Sequence, residues 1–519
     1  MLEERPFEPT ANAGTAEHWR AEERALLAPY VTNLERPVFA LKNLPEEVVA
    51  VLFAYYSRSR QSLRRNLLEL LTAGDLALQG VGAPADLALA RERARKFHEK
   101  WVIGYGHASV AEHAVVHLAL EDVSIVASKV VEDMRLASFT EKSTRYVPFD
   151  PARYYPLCEL RGTPAEEAYQ ATVQLLFATY RRLLPQVMRT VATLWPRRPN
   201  QSERAHEAAC RAKALDVLRY LLPAGTLTNL GMTINGRALE HLLTKMFSHP
   251  LPEVQRLAAW MKEEASHIVP TLLKYAQKSP YLAETNAAMQ GLADELMAPV
   301  PEAPAPAADS VQLVVAPPEA ETQLVAAILY GYSRHAWHQV LARARALSPE
   351  EKARVIDEYL KRRGPHDQPL RALEQLTYTW ELCIDFGAYR DIQRHRMATQ
   401  IRQLPSPQHG YSLPEDLDLY GCRTEIEACL ARAAEAYTQI ATVAPELAIY
   451  VLPLAYRVRV LMTWNLREMY HFVQLRSAKQ GHPAYRRVAQ AIYRVLEATH
   501  PLLARYMRVD LSDYPLARL

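Results

Sequence analysis

Glycine is scarce, with 17 among 519 residues, and nowhere do the glycines fall into a Gly-x-Gly-x-x-Gly or P-loop pattern. That argues against a Rossmann or Walker nucleotide site. The five cysteines, Cys158, Cys210, Cys383, Cys422 and Cys429, are scattered, odd in number and without a Cys-x-x-Cys pair, which excludes a full disulfide framework. No stretch approaches the roughly 20 apolar residues of a membrane span. The N-terminal MLEERPFEPTANAG lacks the apolar core of a signal peptide. A cytoplasmic protein without a membrane partner is therefore expected. Charge of one sign is also missing: 61 Lys and Arg face 58 Asp and Glu, a net +3. Nothing in that balance calls for nucleic acid, and any anion site must come from local clusters.

What is present is ordinary globular material, 49% hydrophobic and 23% charged, enough for several sizeable cores. The clearest boundary is the stretch 298–318, Pro/Ala-rich in its first half, which reads as an extended, semi-rigid linker. It separates an N-terminal repeat, residues 1–297 with its core at about 40–285, from a C-terminal repeat, residues 319–519.

The flanking blocks resemble each other. VAVLFAYYSRS (Val49–Ser59) pairs with VAAILYGYSRH (Val325–His335). The segment Ala114–Ser138 pairs with Leu376–Thr399, and Arg219–Met246 pairs with Tyr450–Arg476 through a shared Leu-Pro and Asn-x-Arg. Three matched blocks in one order indicate an internal duplication. In the middle block Tyr378, Trp380 and Leu382 alternate with Thr377, Thr379 and Glu381, a strand signature, and a helix bearing the basic motif should follow. The expected fold is α+β and mostly helical, each repeat placing a small antiparallel or mixed sheet among long helices such as Pro349–Arg363 and Arg423–Ala441.

Four clusters carry chemistry. His107, Ser109, Glu112 and His113 lie within seven positions. His113 and His117 are four apart, but no His-Glu-x-x-His pattern supports a metal. Glu141, Ser143 and Arg145 alternate, so an extended segment would aim a carboxylate, a hydroxyl and a guanidinium the same way, a grip for a phosphorylated nucleoside. Arg394, His395 and Arg396 are adjacent donors that suit a large polyanion such as a pyrophosphate. Asn465, Arg467, His471 and Arg476 read either as anion or nucleobase recognition or as helix caps and interhelical polar pairs.

In this order the clusters resemble the flavin-dependent thymidylate synthases of the ThyX type, in two tandem copies. That family carries a His-x-Ser/Thr-x-x-Glu-His segment, a strand, an Arg-His-Arg motif leading into Glu-x-Ser-x-Arg, and later an Asn-x-Arg helix ending in arginine. The first copy keeps His107, Ser109, Glu112, Glu141, Ser143, Arg145 and Arg219, but reads Asp133-Met134-Arg135 for Arg-His-Arg and Met246 for the final arginine. The second keeps Arg394-His395-Arg396, Asn465, Arg467 and Arg476, but has Arg402, Leu404 and Ser406 for Glu-x-Ser-x-Arg and Ile449 opposite Arg219. Asp391 and Val130 stand where the family usually has Gln. Each copy has lost much of what the other retains, so the two half-motifs are expected to form composite sites.

The resemblance implies reductive methylation of dUMP to dTMP. Methylenetetrahydrofolate would supply the carbon, and NADPH would reduce bound FAD. Arg394, His395, Arg396, His107, Ser109, Glu112, Asn465, Arg467 and His471 would seat FAD. Glu141, Ser143, Arg145 and Arg219 would hold dUMP. Arg476 and Ser143 would be catalytic, the arginine stabilising negative charge as uracil N3 loses its proton. A homodimer would supply four repeats and imitate the family's homotetramer. An inactive homologue that binds flavin or a nucleotide is the alternative.

Overall fold

The computed structural model describes residues 18–56, 59, 61–72, 108–150 and 153–514. Its contacts divide the chain into two compact units. The first comprises Met1–Ala119, Leu136–Phe139 and Gly231–Ala288, the second Leu120–Arg135, Thr140–Leu230 and Met289–Leu519. The division does not fall at the Pro/Ala-rich stretch, and the second unit draws on both repeats.

Three strands, β1 (Val115–Ser124), β2 (Ala137–Glu141) and β3 (Leu227–Asn235), form a sheet in the order β1-β3-β2. In the first unit the helices Glu46–Tyr56 and Leu63–Thr72 bury Val48, Leu52 and Leu67 with Leu27, Tyr30 and Val31. The helix Gly236–Phe247 is capped by Asn235, whose side chain accepts from the Ala238 N–H at 2.8 Å.

The second unit is built on β4 (Ser310–Val315), β5 (Thr377–Asp385), β6 (Thr399–Arg402) and β7 (Arg457–Asn465), antiparallel in the order β4-β5-β7-β6. The alternation expected in β5 is real: Tyr378, Trp380 and Leu382 are fully buried. The expected linker is corrected in its second half. Residues 310–315 are a strand paired with β5, and just before it Arg457 donates to the Pro306 carbonyl at 2.5 Å and lies 3.6 Å from Asp309.

The duplication shows in the local geometry. Ser124 and Asp385 each cap a seven-residue helix, Ile125–Val131 and Phe386–Ile392, by accepting from the N–H three residues on. The opening N–H groups of the first helix go to Thr226 and Ala224 carbonyls, those of the second to Tyr456 and Leu454. The segments supplying those carbonyls pair with each other: Ala224 N–H donates to Leu452 O at 2.8 Å and Leu454 N–H to Leu222 O at 2.9 Å, either side of a Pro223–Pro453 bridge. Reciprocal bonding of this kind is the mark of a two-fold, isologous contact, here inside one chain. Gly225 permits it, because a Cβ there would meet Tyr169 Oη at 2.7 Å and Tyr450 O at 2.9 Å. The long helices Pro164–Leu194 and Arg423–Ala441 pack together, with Cys429 Sγ donating to Thr179 Oγ1 at 3.5 Å.

Candidate functional site

The residues that the sequence placed in two separate motifs meet inside the second unit. Glu141, at the end of β2, is buried with a side chain 1% exposed. It accepts from Ser128 Oγ at 3.0 Å and Lys129 Nζ at 3.1 Å, both from the first repeat. From the second repeat Arg390 Nη2 donates to it at 2.8 Å, and Arg394 Nη2 lies 3.6 Å away. Burial alone would raise its pKa, but Arg390, Lys129 and Arg394 hold it down to about 2. Gln393 adds a bond across the repeats, donating to Lys129 O at 2.8 Å.

Arg145 is gripped on all sides. Its Nε and Nη2 form a fork with Asp216 at 2.8 and 2.9 Å, and Nη1 reaches Tyr485 Oη at 3.0 Å and Gln480 O at 3.4 Å. Burial disfavours its charge, yet Asp216 more than compensates and raises its pKa. Arg219, 1% exposed, donates to His482 Nδ1 at 3.2 Å and stands 3.8 Å from both Asp385 and Asp391. Gly387 makes room for it: a Cβ there would come within 3.3 Å of Arg219 Nη2. Asp391 feels Arg219, Arg394, Arg476 and Arg145 together, and against the effect of burial they lower its pKa. Asp385 goes the other way, pushed up to about 7 by burial and by Asp309. A cavity of about 270 Å³ reaches Asp216 and His482, with Trp195, Lys213, Tyr220 and Arg487 in its wall.

His395 is 5% exposed and has both nitrogens engaged. Nδ1 lies 3.0 Å from Glu468 Oε1, and Nε2 accepts from Arg476 Nε–H at 2.9 Å. Burial lowers its pKa to about 4 against the pull of Glu468. It is a neutral imidazole that donates through Nδ1 and orients Arg476. The Arg476 guanidinium carbon stands 5.4 Å from the Tyr485 ring centroid. Among the described residues Arg476 forms no ion pair, and burial lowers its pKa.

Several expectations need correction. The Arg394-His395-Arg396 motif is not on a helix: the helix ends at Ile392 and the motif forms the turn leading into β6. Arg394 is 42% exposed on its side chain and Arg396 half-buried, whereas His395 has no nitrogen left for a cofactor. Glu141, Ser143 and Arg145 do not share an extended face, because the chain turns after Ser143, whose carbonyl accepts from the Tyr146 and Val147 N–H groups. Ser143, half-buried, accepts from the Arg145 N–H at 3.2 Å. Asn465 is a helix N-cap, accepting from Glu468 N–H at 2.9 Å. Arg467 pairs with Glu374 at 2.9 Å, as Arg237 pairs with Glu112 at 2.5 Å in the first unit. His471 lies beside the His395 ring, centroids 5.6 Å apart. Ser109 is exposed and belongs to the first unit. His107 lies outside the described residues.

Lys129, Arg390, Asp216, His482 and Tyr485 were not singled out from sequence. Lys129 and Arg390 did carry a signal, as cations five residues beyond Ser124 and Asp385 in the two repeats.

Comparison with known proteins fixes the class. The family model for thymidylate synthase complementing protein matches residues 54–271 and again 312–502. The chain belongs to this family, as a tandem pair of its domains. Along its whole length it is similar to a UPF0159 protein of Chlamydia pneumoniae, 35% identical over 98% of each chain. A flavin-dependent thymidylate synthase of Sulfolobus acidocaldarius is 28% identical over 37% of this chain and 70% of its own. The solved structure of flavin-dependent thymidylate synthase ThyX from Helicobacter pylori, complexed with FAD and dUMP, overlaps 39% of this chain and all of its own at 16% identity and a TM-score of 0.31. No described helix is long and apolar enough to cross a membrane.

Proposed function

We propose that the chain is a flavin-dependent thymidylate synthase that converts dUMP to dTMP at a composite site, with methylenetetrahydrofolate as carbon donor and NADPH as reductant. The observation that carries this reading is the meeting of the two half-motifs at Glu141, where Arg390 and Arg394 of the second repeat close on a carboxylate of the first. The residues fit FAD. Arg394 is 42% exposed on its side chain, with Glu141 only a loose partner, and the buried Nε atoms of Arg219 and Arg390 have no hydrogen-bond partner among the described residues. Cationic donors thus remain for an anionic ligand. FAD would supply hydride chemistry when bound. Arg394 and Arg396 would hold its charged part. Glu141, Ser143, Arg145 and Arg219 would hold dUMP. Arg476, oriented through His395 by Glu468, would stabilise negative charge on the uracil ring, as electrostatic preorganisation requires. The chain would act as a cytoplasmic homodimer of four repeats.

A binding-only homologue is favoured by one observation: Asp216 and Tyr485 already occupy the Arg145 donors, and Asp391 places an ionised carboxylate beside Arg219. The deciding experiment is the visible spectrum of protein loaded with FAD and desalted, repeated with dUMP. A retained flavin band that shifts with dUMP, followed by dTMP formation with folate and NADPH, supports the enzyme. A shift without turnover supports the binding protein, and no retained flavin at saturating FAD removes both.

A further inference from the structure

The replacement of an arginine by Asp133 in the first repeat has a partner change in the second. Counting from the caps Ser124 and Asp385, Asp133 is the counterpart of Arg394, and Arg402 is the counterpart of Glu141. The backbone agrees with this alignment. The residue after Glu141 donates to Asn229 O at 2.9 Å, and the residue after Arg402 donates to Arg459 O at 2.9 Å, carbonyls at matching places in β3 and β7. Arg394 lies 3.6 Å from Glu141, and Arg402 lies 3.8 Å from Asp133. One ion pair is the other with its signs exchanged.

The geometry points to two pseudo-equivalent locations around the internal two-fold, one open to anions and the other closed by the charge-reversed Asp133–Arg402 pair, so that each chain takes a single nucleoside monophosphate. This rests on the uridylate reading above for the identity of the nucleotide. Of the three arginines at the open location, Arg394 is the one 42% exposed on its side chain, while Arg145 is held by Asp216 and Arg219 stands near Asp385 and Asp391; the counterparts of Arg145, Arg219 and Arg394 are Ser406, Ile449 and Asp133. Two arginines remain at the closed location, and each is turned toward a group of the protein. Arg402 stands 3.8 Å from Asp133, outside hydrogen-bond distance, and its buried Nη1 has no hydrogen-bond partner among the described residues. Arg135 donates to Thr399 Oγ1 at 3.2 Å and reaches Ala398 O at 3.4 Å. A phosphate arriving there would meet a carboxylate where the open location offers a guanidinium. Changing either member alone would have set like charges against each other across the repeats. Changing both preserves the attraction while discarding the site.

The test is equilibrium dialysis of the full-length, FAD-loaded protein against labelled dUMP, with urea midpoints for each variant. Wild type should take up one dUMP per chain. Asp133→Arg should leave that number at one, because Ser406 and Ile449 still stand where the open location has Arg145 and Arg219. Arg394→Asp should weaken binding more than tenfold, and Arg394→Gln, which introduces no carboxylate, should weaken it in the same direction. Two dUMP per chain in wild type, or one per chain at unchanged affinity in Arg394→Asp, overturns the inference. At the closed location Asp133→Arg and Arg402→Glu should each lower the urea midpoint, and the double variant should return it towards wild type. Additive losses in the double variant overturn the charge-reversed pair whether or not dUMP is the ligand. No dUMP uptake by wild type, with the double variant still rescued, removes the uridylate reading and the single-site count while the pair itself stands.

Discussion

With glutamine at position 141, Arg390 would lose its carboxylate in the interior, and Lys129 would keep only that of Glu132. Removing one partner from a buried ion cluster costs about 3–5 kcal/mol, so Glu141→Gln should lower stability by roughly that amount in urea unfolding. A loss under about 1 kcal/mol would mean that the cluster is far wetter than its burial indicates. The pH dependence has a defined sign. Because the Glu141 pKa is depressed to about 2, its contribution is fully present above the ordinary carboxylate range and is lost as pH falls towards 2. Asp385 behaves oppositely. Its folded pKa of about 7 lies above its unfolded value, so the folded state binds the extra proton and stability falls as pH rises from about 4 to 7. Asp385→Asn keeps the cap on Ala388 and removes that titration. Its stability relative to wild type should therefore increase between pH 4 and 7, and a flat difference across that window would show that Asp385 does not titrate there.

At the scale of elements, the helix Leu466–Ser477 separates a structural role from a binding one. Asn465 caps it, so Asn465→Ala should cost about 1 kcal/mol while the retained flavin absorbance stays as in wild type. Loss of flavin at unchanged stability would instead make Asn465 a cofactor ligand. Asn465 illustrates what was legible in the sequence. A local rule, an Asn before a helix with its partner three residues on, is sufficient to place a cap, and period-2 alternation is sufficient to place β5. Tertiary geometry was not available from such rules. The alternation of Glu141, Ser143 and Arg145 imitates a strand, but the bonds to Ser143 O bend the chain. The strand at 310–315 pairs with β5, and its SVQLVV sequence, rich in Val, is a strand signal that a Pro/Ala-rich reading of the stretch passes over. The site was legible as two half-motifs of complementary content. The groups that join them, Lys129 with Arg390 and Arg145 with Tyr485, were not, because their contacts span hundreds of residues and no local spacing encodes them.

For the whole molecule, the two-fold junction should hold the repeats together without a covalent link. The pairing of 222–224 with 452–454, the packing of Pro164–Leu194 on Arg423–Ala441 and the cluster around Glu141 all join residues on either side of the Pro/Ala-rich stretch. Residues 301–305 within that stretch are exposed coil, so a protease site placed there can be cut in the folded protein. The intact chain benefits from a high effective concentration of one repeat for the other. After cutting, that advantage disappears and only the contacts remain. Buried charges that would be stranded by separation, Glu141 on one fragment and Arg390 on the other, make dissociation costly. The nicked protein should therefore elute from size exclusion as one species of unchanged size and bind dUMP with affinity within a few-fold of the uncut chain. If the fragments separated under native conditions, the composite site would depend on the tether rather than on the junction, and the complementary losses in the two repeats would need another physical explanation.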